Sequence, residues 1–323
     1  MFTVMDTIHS VVLCTLDISA TAANLVLVYA ILTRCELMMS NRTPPSMRSY
    51  SILLLNNIFV DLLSASASVL GIARLSFLRE TFSQVYVYLG PCSNVGLWFC
   101  HLCQTIHIFC VCHSTVILLH SFCFRLYLLR DKLVNVPIPS LRSSILICIL
   151  LYIPTMFMMY LFYVSFEYTP IELMQRLLFD AYPTTWHSTV LSYHFVIALS
   201  YVVVLSPAAM VIIFFVRLRL IAQISKMESG ARDHHSRIAK ALTYQMLLPA
   251  GVSLASAAWL SEVSGLWWNE TPERLIMTLS SLFALGSPLI NLTFLPPYRR
   301  MFGKGGKTNA IGVSATGTTS HFA

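Results

Sequence analysis

The chain has 323 residues, of which 56% are hydrophobic and only 11% charged, with a formal net charge of +7 at pH 7. Soluble domains carry roughly 25% charged residues, so this composition excludes an ordinary water-soluble core. The apolar residues form long continuous runs instead of alternating segments of about ten residues, which excludes a transmembrane β-barrel and leaves an all-α membrane protein.

Seven such runs succeed one another, each long enough to cross a hydrocarbon core of about 30 Å as a helix. The first is Ile8–Thr33. The segment before it has no Lys or Arg and no cleavage-site pattern, so it reads as a short outside tail leading into an uncleaved signal anchor. Asp17 falls in this run and is expected to be a partly wet acid near the outer face. The second run, Tyr50–Ala73, holds Asn57 and Asp61 one helical turn apart on one face. Ionisable groups inside a membrane are costly and point to function. Asn57 and Asp61 are therefore read either as a polar cluster with helix 7 that biases a conformational switch, or as buried groups that only fix helix packing.

The third run is Val95–Phe124, and it carries His101, His107, His113 and His120. His113 and His120 share a face but His101 and His107 point elsewhere, so the set does not converge as metal ligands must, and neither a metal nor a cofactor is expected. Arg125 comes directly after, either as the first cytoplasmic charge or as a gate or coupling residue at the inner mouth. The fourth and fifth runs, Ser143–Val164 and Val190–Val216, contain Pro154 and Pro207. The loop between them, Ser165–Thr189, has no cysteine, so Cys92 cannot be bridged to it. Cys92 stays free or pairs with Cys100 or Cys103 at the head of helix 3. The sixth and seventh runs, Ala241–Leu260 and Leu275–Leu295, are interrupted by Pro249 and Pro288, each of which removes a backbone hydrogen bond and permits a kink. Trp186, Trp259, Trp267 and Trp268 fall at outer helix ends, where interfacial anchors are expected. The chain thus divides into a seven-helix unit, 1–300, and a Gly-, Ser- and Thr-rich cytoplasmic tail, 301–323, expected to be disordered.

Charge sets the orientation. The first, third and fifth connections and the C-terminal tail hold 17 of the 21 Lys and Arg residues, and the opposite side holds four, Arg74, Arg79, Arg176 and Arg274. An excess of Lys and Arg marks the cytoplasmic side. The N-terminus is therefore expected outside and the C-terminus inside. The basic residues are spread over four cytoplasmic edges, which fits anionic membrane lipid and not nucleic acid. Of three Asn-x-Ser/Thr matches, at Asn41, Asn269 and Asn291, only Asn269 is then placed for glycosylation.

No HExxH, nucleophile elbow or glycine-rich phosphate loop occurs at a membrane edge, so an enzyme is not expected. All five lysines lie in inner loops or the tail, which leaves no intramembrane amine for a retinal Schiff base. A ligand pocket is expected in the outer half among helices 3, 5, 6 and 7. By depth, its candidates are His101, Gln104, His107, His194, Tyr201, Trp259 and Ser281. The rival class is a ligand-gated channel or transporter with Asp17, Asp61 and the helix-3 histidines along an ion path. Such a path needs polar residues at every depth, and helix 3 offers only His107 between Ile106 and Cys112.

Several short stretches resemble the nematode chemosensory serpentine receptors of the Str superfamily, most of all serpentine receptor class delta. They are Leu53–Leu63 around Asp61, Gly90-Pro91-Cys92, Phe124-Arg125, His235–Pro249 leading into helix 6, and Ser287-Pro288-Leu289-Ile290 with Tyr298-Arg299 beyond it. The resemblance covers essentially residues 1–300. It implies a G-protein-coupled receptor of the plasma membrane, at the cilia of sensory neurons, with a small odorant or pheromone as ligand and a heterotrimeric G protein as partner. The basic inner face flanked by the proline kinks, with Arg125, Arg237, Lys240, Pro249, Pro288, Tyr298 and Arg299, is expected to carry the coupling. Two departures stand out. Helix 7 carries Ser287-Pro288 where these families often have Asp-Pro, and Arg125 lacks a preceding acid and a directly following Tyr, with Tyr127 displaced.

Overall fold

The computed structural model describes residues 4–38, 45–78, 81–134, 140–169, 185–226, 240, 243–267 and 270–294. Among the described residues, seven helices are long and apolar enough to cross a membrane. They are α1 (Val4–Met38), α2 (Pro45–Gly71), α3 (Leu97–Val134), α4 (Leu141–Val164), α5 (Tyr193–Ile224), α6 (Leu248–Ser264) and α7 (Glu270–Phe294). Their backbones are satisfied internally, as a medium without water requires. Most run beyond the apolar limits expected from sequence. The extra turns of α1, α3 and α5 add polar residues that extend past the hydrocarbon, where hydropathy no longer marks the helix.

The helices pack as a ring around α3, which touches α2, α4, α5 and α7. Its central position shows in burial: 72% of its most apolar window is buried, against 22% for α4 and for α5. The other two sides of the ring are closed by α7, which packs on α1 and α6. Large apolar side chains such as Leu25 on α1, Ile149 and Ile153 on α4, and Val204 and Phe215 on α5 stand exposed on the perimeter. A contiguous apolar belt of that kind is a lipid-facing surface. The α6–α7 contact is close because α7 offers Gly286, where a Cβ would collide with the Leu248 side chain.

A four-stranded antiparallel sheet covers one end of the bundle, in the order β1-β2-β4-β3. Its strands are β1 (Ala73–Leu78), β2 (Ser83–Tyr88), β3 (Glu167–Tyr168) and β4 (Thr185–Thr189). The sequence reading carries helix 2 through Ala73 and treats the stretch from Arg74 to the head of helix 3 as loop. In fact α2 stops at Gly71 and the chain turns into β1 through Ile72, whose φ is +38°. The Ser-Gln-Val-Tyr-Val-Tyr run of β2 is rich in β-branched and aromatic residues, which fit a pleated, covered surface. All six of its residues are buried. On one side β2 pairs with β1 (Ala73 opposite Tyr88), on the other with β4 (Val85 opposite His187). A 3-10 turn, Pro91–Asn94, returns the chain to α3. Gly90 permits this turn, since a Cβ there would collide with the Leu70 carbonyl oxygen. Cys92 in the turn is disulfide-bonded to Cys100 in the first turns of α3, so of the partners open to Cys92 the fold uses Cys100 and leaves Cys103 free.

The prolines act in two ways. Pro154, Pro207 and Pro288 lie inside α4, α5 and α7. Pro249 instead sits in the first turn of α6, after a break at Met246–Leu247, so the helix restarts there and is not simply bent. The Pro249 carbonyl accepts hydrogen bonds from Ser206 of α5 (2.7 Å) and Ser253 (2.9 Å).

Candidate functional site

Beneath the sheet, α3, α5, α6 and α7 border a half-open cavity whose empty volume is about 630 Å³ with the solvent at its mouth included. Ile108 and Val111 of α3, Leu199 and Val203 of α5, Ala255 and Trp259 of α6, and Ile276 and Met277 of α7 form its walls. The sheet supplies Leu75, Gln84 and Tyr86. Among the described residues, none that lines it is charged. A mostly apolar concavity with a few convergent polar groups is the usual form of a small-molecule site.

The polar groups of this site form a chain of contacts. The Trp259 indole N–H donates to Gln84 Oε1 at 2.9 Å, tying α6 to β2. The Tyr86 hydroxyl stands beside the amides of Gln84 and Gln104. Gln104 Nε2 in turn donates to Met277 Sδ at 3.4 Å. Behind this layer, His101 Nε2 faces the Tyr163 carbonyl at 3.1 Å and Nδ1 faces the Tyr88 hydroxyl at 3.2 Å. A carbonyl only accepts, so Nε2 carries the proton and, in the neutral ring, Nδ1 accepts from Tyr88. Burial pushes the Tyr86 and Tyr88 phenols up. Both hydroxyls therefore keep their protons.

Of the seven pocket candidates read from depth along the sequence, Trp259 alone lines this cavity. It is buried there and is not an interfacial anchor. Gln104 lies one layer back. His107 bridges α2 and α7, with Ser64 Oγ at 3.2 Å and Ser280 Oγ at 3.1 Å. Ser281 meets Ser68 at 3.3 Å, next to Asp17. Tyr201 lines a smaller neighbouring cavity between α3, α4 and α5, and His194 is exposed at the start of α5. A depth count along each helix gives the layer but not the rotation, which packing decides. Gln84 and Tyr86 escaped the sequence reading because they come from a strand. The alternation of Ser83–Tyr88 was the available signal.

A second polar group lies deeper. Asn57 Nδ2 donates to Asp61 Oδ2 and to Ser287 Oγ, both at 2.8 Å, and Ser114 Oγ donates to Asp61 Oδ1 at 3.1 Å. Asp61 is thus held by α2 and α3, with α7 reached through Asn57. Asp17 is fully buried and not partly wet, because α1 turns it toward α2 and α7 instead of outward.

Two further clusters fasten the ends. At the sheet-bearing end, fully buried Asp6 of α1 pairs with Arg74 of β1 and Arg274 of α7, each at 2.9 Å. Arg74 also approaches Glu273 at 3.7 Å, and Ser76 donates to Glu273 at 3.0 Å. At the opposite end, Gln245 Nε2 donates to Asn291 Oδ1 at 2.9 Å, Tyr244 stacks on Phe294 at 4.5 Å, and Arg217 Nε donates to Thr243 at 3.0 Å. Arg125 is buried near this end, and Lys240 is exposed. Arg237, Asn269, Tyr298, Arg299 and the tail 301–323 lie outside the described residues.

A seven-helix membrane bundle with an apolar cavity among α3, α5, α6 and α7 has the architecture of a seven-transmembrane receptor. The serpentine type 7TM GPCR chemoreceptor Srd family matches residues 9–304, and the chain belongs to that family. It is 25% identical over 314 residues to serpentine receptor class delta-2 of Caenorhabditis elegans, covering 91% of this chain and 82% of that protein. It is 27% identical over 294 residues to serpentine receptor class delta-1 of the same organism, covering 85% and 75%. With serpentine receptor class delta-3 it shares 26% over 285 residues, covering 81% and 79%. The protein is a multi-pass membrane chemoreceptor of GPCR type.

Proposed function

We propose that the chain binds a small environmental chemical, an odorant or pheromone, in the cavity beneath the sheet and signals to a heterotrimeric G protein from the opposite end of the bundle. The observation that carries this reading is the half-open cavity, uncharged among the described residues, whose wall is shared by α6 and the sheet through Trp259 and Gln84. In this reading the sheet-bearing end and the N-terminus are outside. The basic connections and the C-terminus face the cytoplasm, where 17 of the 21 Lys and Arg residues then lie against anionic lipid. The protein acts at the plasma membrane, in sensory neuron cilia, and catalyses nothing.

The mechanism rests on the contacts. A ligand beside Trp259 acts on α6, whose other end is a break at Met246–Leu247 with Pro249 just beyond it. Below the break, the short helical stretch 243–245 that leads into α6 is held to α7 by Gln245 and Tyr244. A ligand that favours release of those contacts opens a docking surface at the end that holds Arg125, and the coupling roles proposed for Lys240 and, outside the described residues, for Arg237, Tyr298 and Arg299 belong to the same step. The Asn57–Asp61–Ser287 cluster lies between the two ends and biases the exchange. Pro288, one residue after Ser287, gives α7 the same freedom.

Linkage supplies the test. A nucleotide-free G protein should raise agonist affinity, and agonist should raise G-protein affinity by the same factor. Arg237→Ala with Lys240→Ala should weaken both effects and leave the cavity intact. An agonist whose affinity ignores every G protein, together with ligand-gated current from the purified chain in a bilayer, would replace this reading with a channel.

A further inference from the structure

Resting on the receptor reading above, the geometry points to a particular ligand class: an uncharged, largely hydrocarbon molecule bearing one hydrogen-bond acceptor, such as a ketone or ester, whose oxygen is read by the Gln84 amide.

The first half of this inference comes from what the cavity lacks. Among the described residues, no lining residue is ionisable at neutral pH in a way that could answer a ligand's charge. Of the charged groups described at this end of the bundle, Asp6, Arg74, Glu273 and Arg274 are engaged with one another, and Glu262 is buried beside Glu273; all lie outside the lining. An ion brought into such a space loses its hydration and gains no partner. A hydrocarbon surface, by contrast, gains roughly 25 cal/mol for each Å² removed from water.

The second half comes from the direction of one hydrogen bond. The indole N–H of Trp259 can only donate, so the Gln84 atom it meets at 2.9 Å is the oxygen. This fixes the amide's orientation and takes one of the two acceptor positions of its oxygen. The Gln84 NH₂ group brings two donors. The neighbouring Tyr86 hydroxyl can take one. The other is available to a ligand, and it selects an acceptor. The reader therefore sits on a strand of the sheet, and its setting is held by α6, so occupancy at Gln84 is felt directly by the helix that the signalling mechanism moves.

The test uses the purified full chain in lipid nanodiscs and measures thermal unfolding. The probes are the methyl ketones from butanone to decanone, with n-alkanes, n-carboxylates and n-alkylammonium ions of matched length. Ketones should stabilise the chain with an optimum length, and the charged congeners should bind about 100-fold more weakly, the cost of an ion at membrane depth. Ala255→Phe, which fills the cavity, should abolish the ketone effect. Gln84→Glu keeps an oxygen for Trp259 but replaces the NH₂ donor with a second oxygen, so it should lose ketone and gain alkylammonium. If Gln84→Glu does not fold, Gln84→Leu should bring ketone and alkane affinities together. Charged congeners that bind as tightly as ketones overturn the inference. So does ketone binding that is absent at the solubility limit, or that is indifferent to Ala255→Phe or to both Gln84 variants. The two readings fail separately. A charged compound that binds in an Ala255-dependent way and stimulates G-protein nucleotide exchange removes the ligand class and keeps the receptor. A ketone that binds in the cavity while no G protein responds does the reverse.

Discussion

Asp6 is the most exacting place to test the architecture of the sheet-bearing end. Its carboxylate is fully buried and accepts from Arg74 of β1 and from Arg274 of α7, each at 2.9 Å. One residue of the first helix turn therefore joins α1, the sheet and α7. Asp6→Ala removes the shared acceptor from two largely buried guanidinium groups. Breaking one partner out of a buried ion pair costs about 3–5 kcal/mol. The Glu273 carboxylate, 3.7 Å from Arg74, offsets part of that, which puts the expected loss near the lower figure. At roughly 2–4 °C per kcal/mol, the slope of large domains, the melting temperature should fall by about 6–12 °C. Asp6→Asn keeps one acceptor and loses the charge, so it should fall between Asp6→Ala and wild type. The assay is thermal unfolding of the purified chain, with the double variant Asp6→Ala, Arg74→Met closing a cycle. Coupling of at least about 1 kcal/mol is expected for groups in direct contact. A fall under about 2 °C for Asp6→Ala, or strict additivity in the cycle, would refute the buried cluster as a structural fastening.

Three other outcomes are expected from the same geometry. Asp61→Asn preserves size and most hydrogen bonding to Asn57 and Ser114, so surface expression should hold while the ligand response shifts by about 1–3 kcal/mol in coupling; an unchanged dose–response at unchanged surface level reduces Asp61 to packing. Gln245→Leu removes the donor to Asn291 and should loosen α6 from α7, raising ligand-independent nucleotide exchange several-fold without lowering ligand affinity; basal exchange equal to wild type sinks that idea. Endoglycosidase treatment reports topology: a shift that disappears in Asn269→Gln is expected, whereas a glycan on Asn41 inverts the orientation and with it the assignment of ligand and G-protein ends.

Several features could be read one residue at a time. The seven spans come from continuous apolar runs, because transfer into hydrocarbon is close to additive along a segment and needs no knowledge of neighbours. The proximity of Asn57 and Asp61 is likewise local, one turn of one helix. The family resemblance was carried by short stretches that keep their order along the chain. Trp259 lines the cavity at the level its place along helix 6 gives, because its depth in that helix is also its depth in the fold.

Tertiary structure decided what lies between segments. Asp6 meets Arg74 and Arg274 across 68 and 268 residues, and nothing near Asp6 in the chain announces either partner. Asn57 reaches Ser287 across 230 residues. β2 is legible as a strand by its alternation, but its role depends on β4, about a hundred residues later, which closes it from the other side and turns Gln84 and Tyr86 into a wall of the cavity. Helix rotation is similarly collective. In an all-round apolar helix no face is marked, so the sequence of α3 or α5 leaves open which side chains meet the cavity, and the packing of the neighbouring helices settles it. The sequence alone thus determined that the chain crosses the membrane seven times. The physical reason is that burial in lipid is a property of each segment, while a binding site is a property of their contacts.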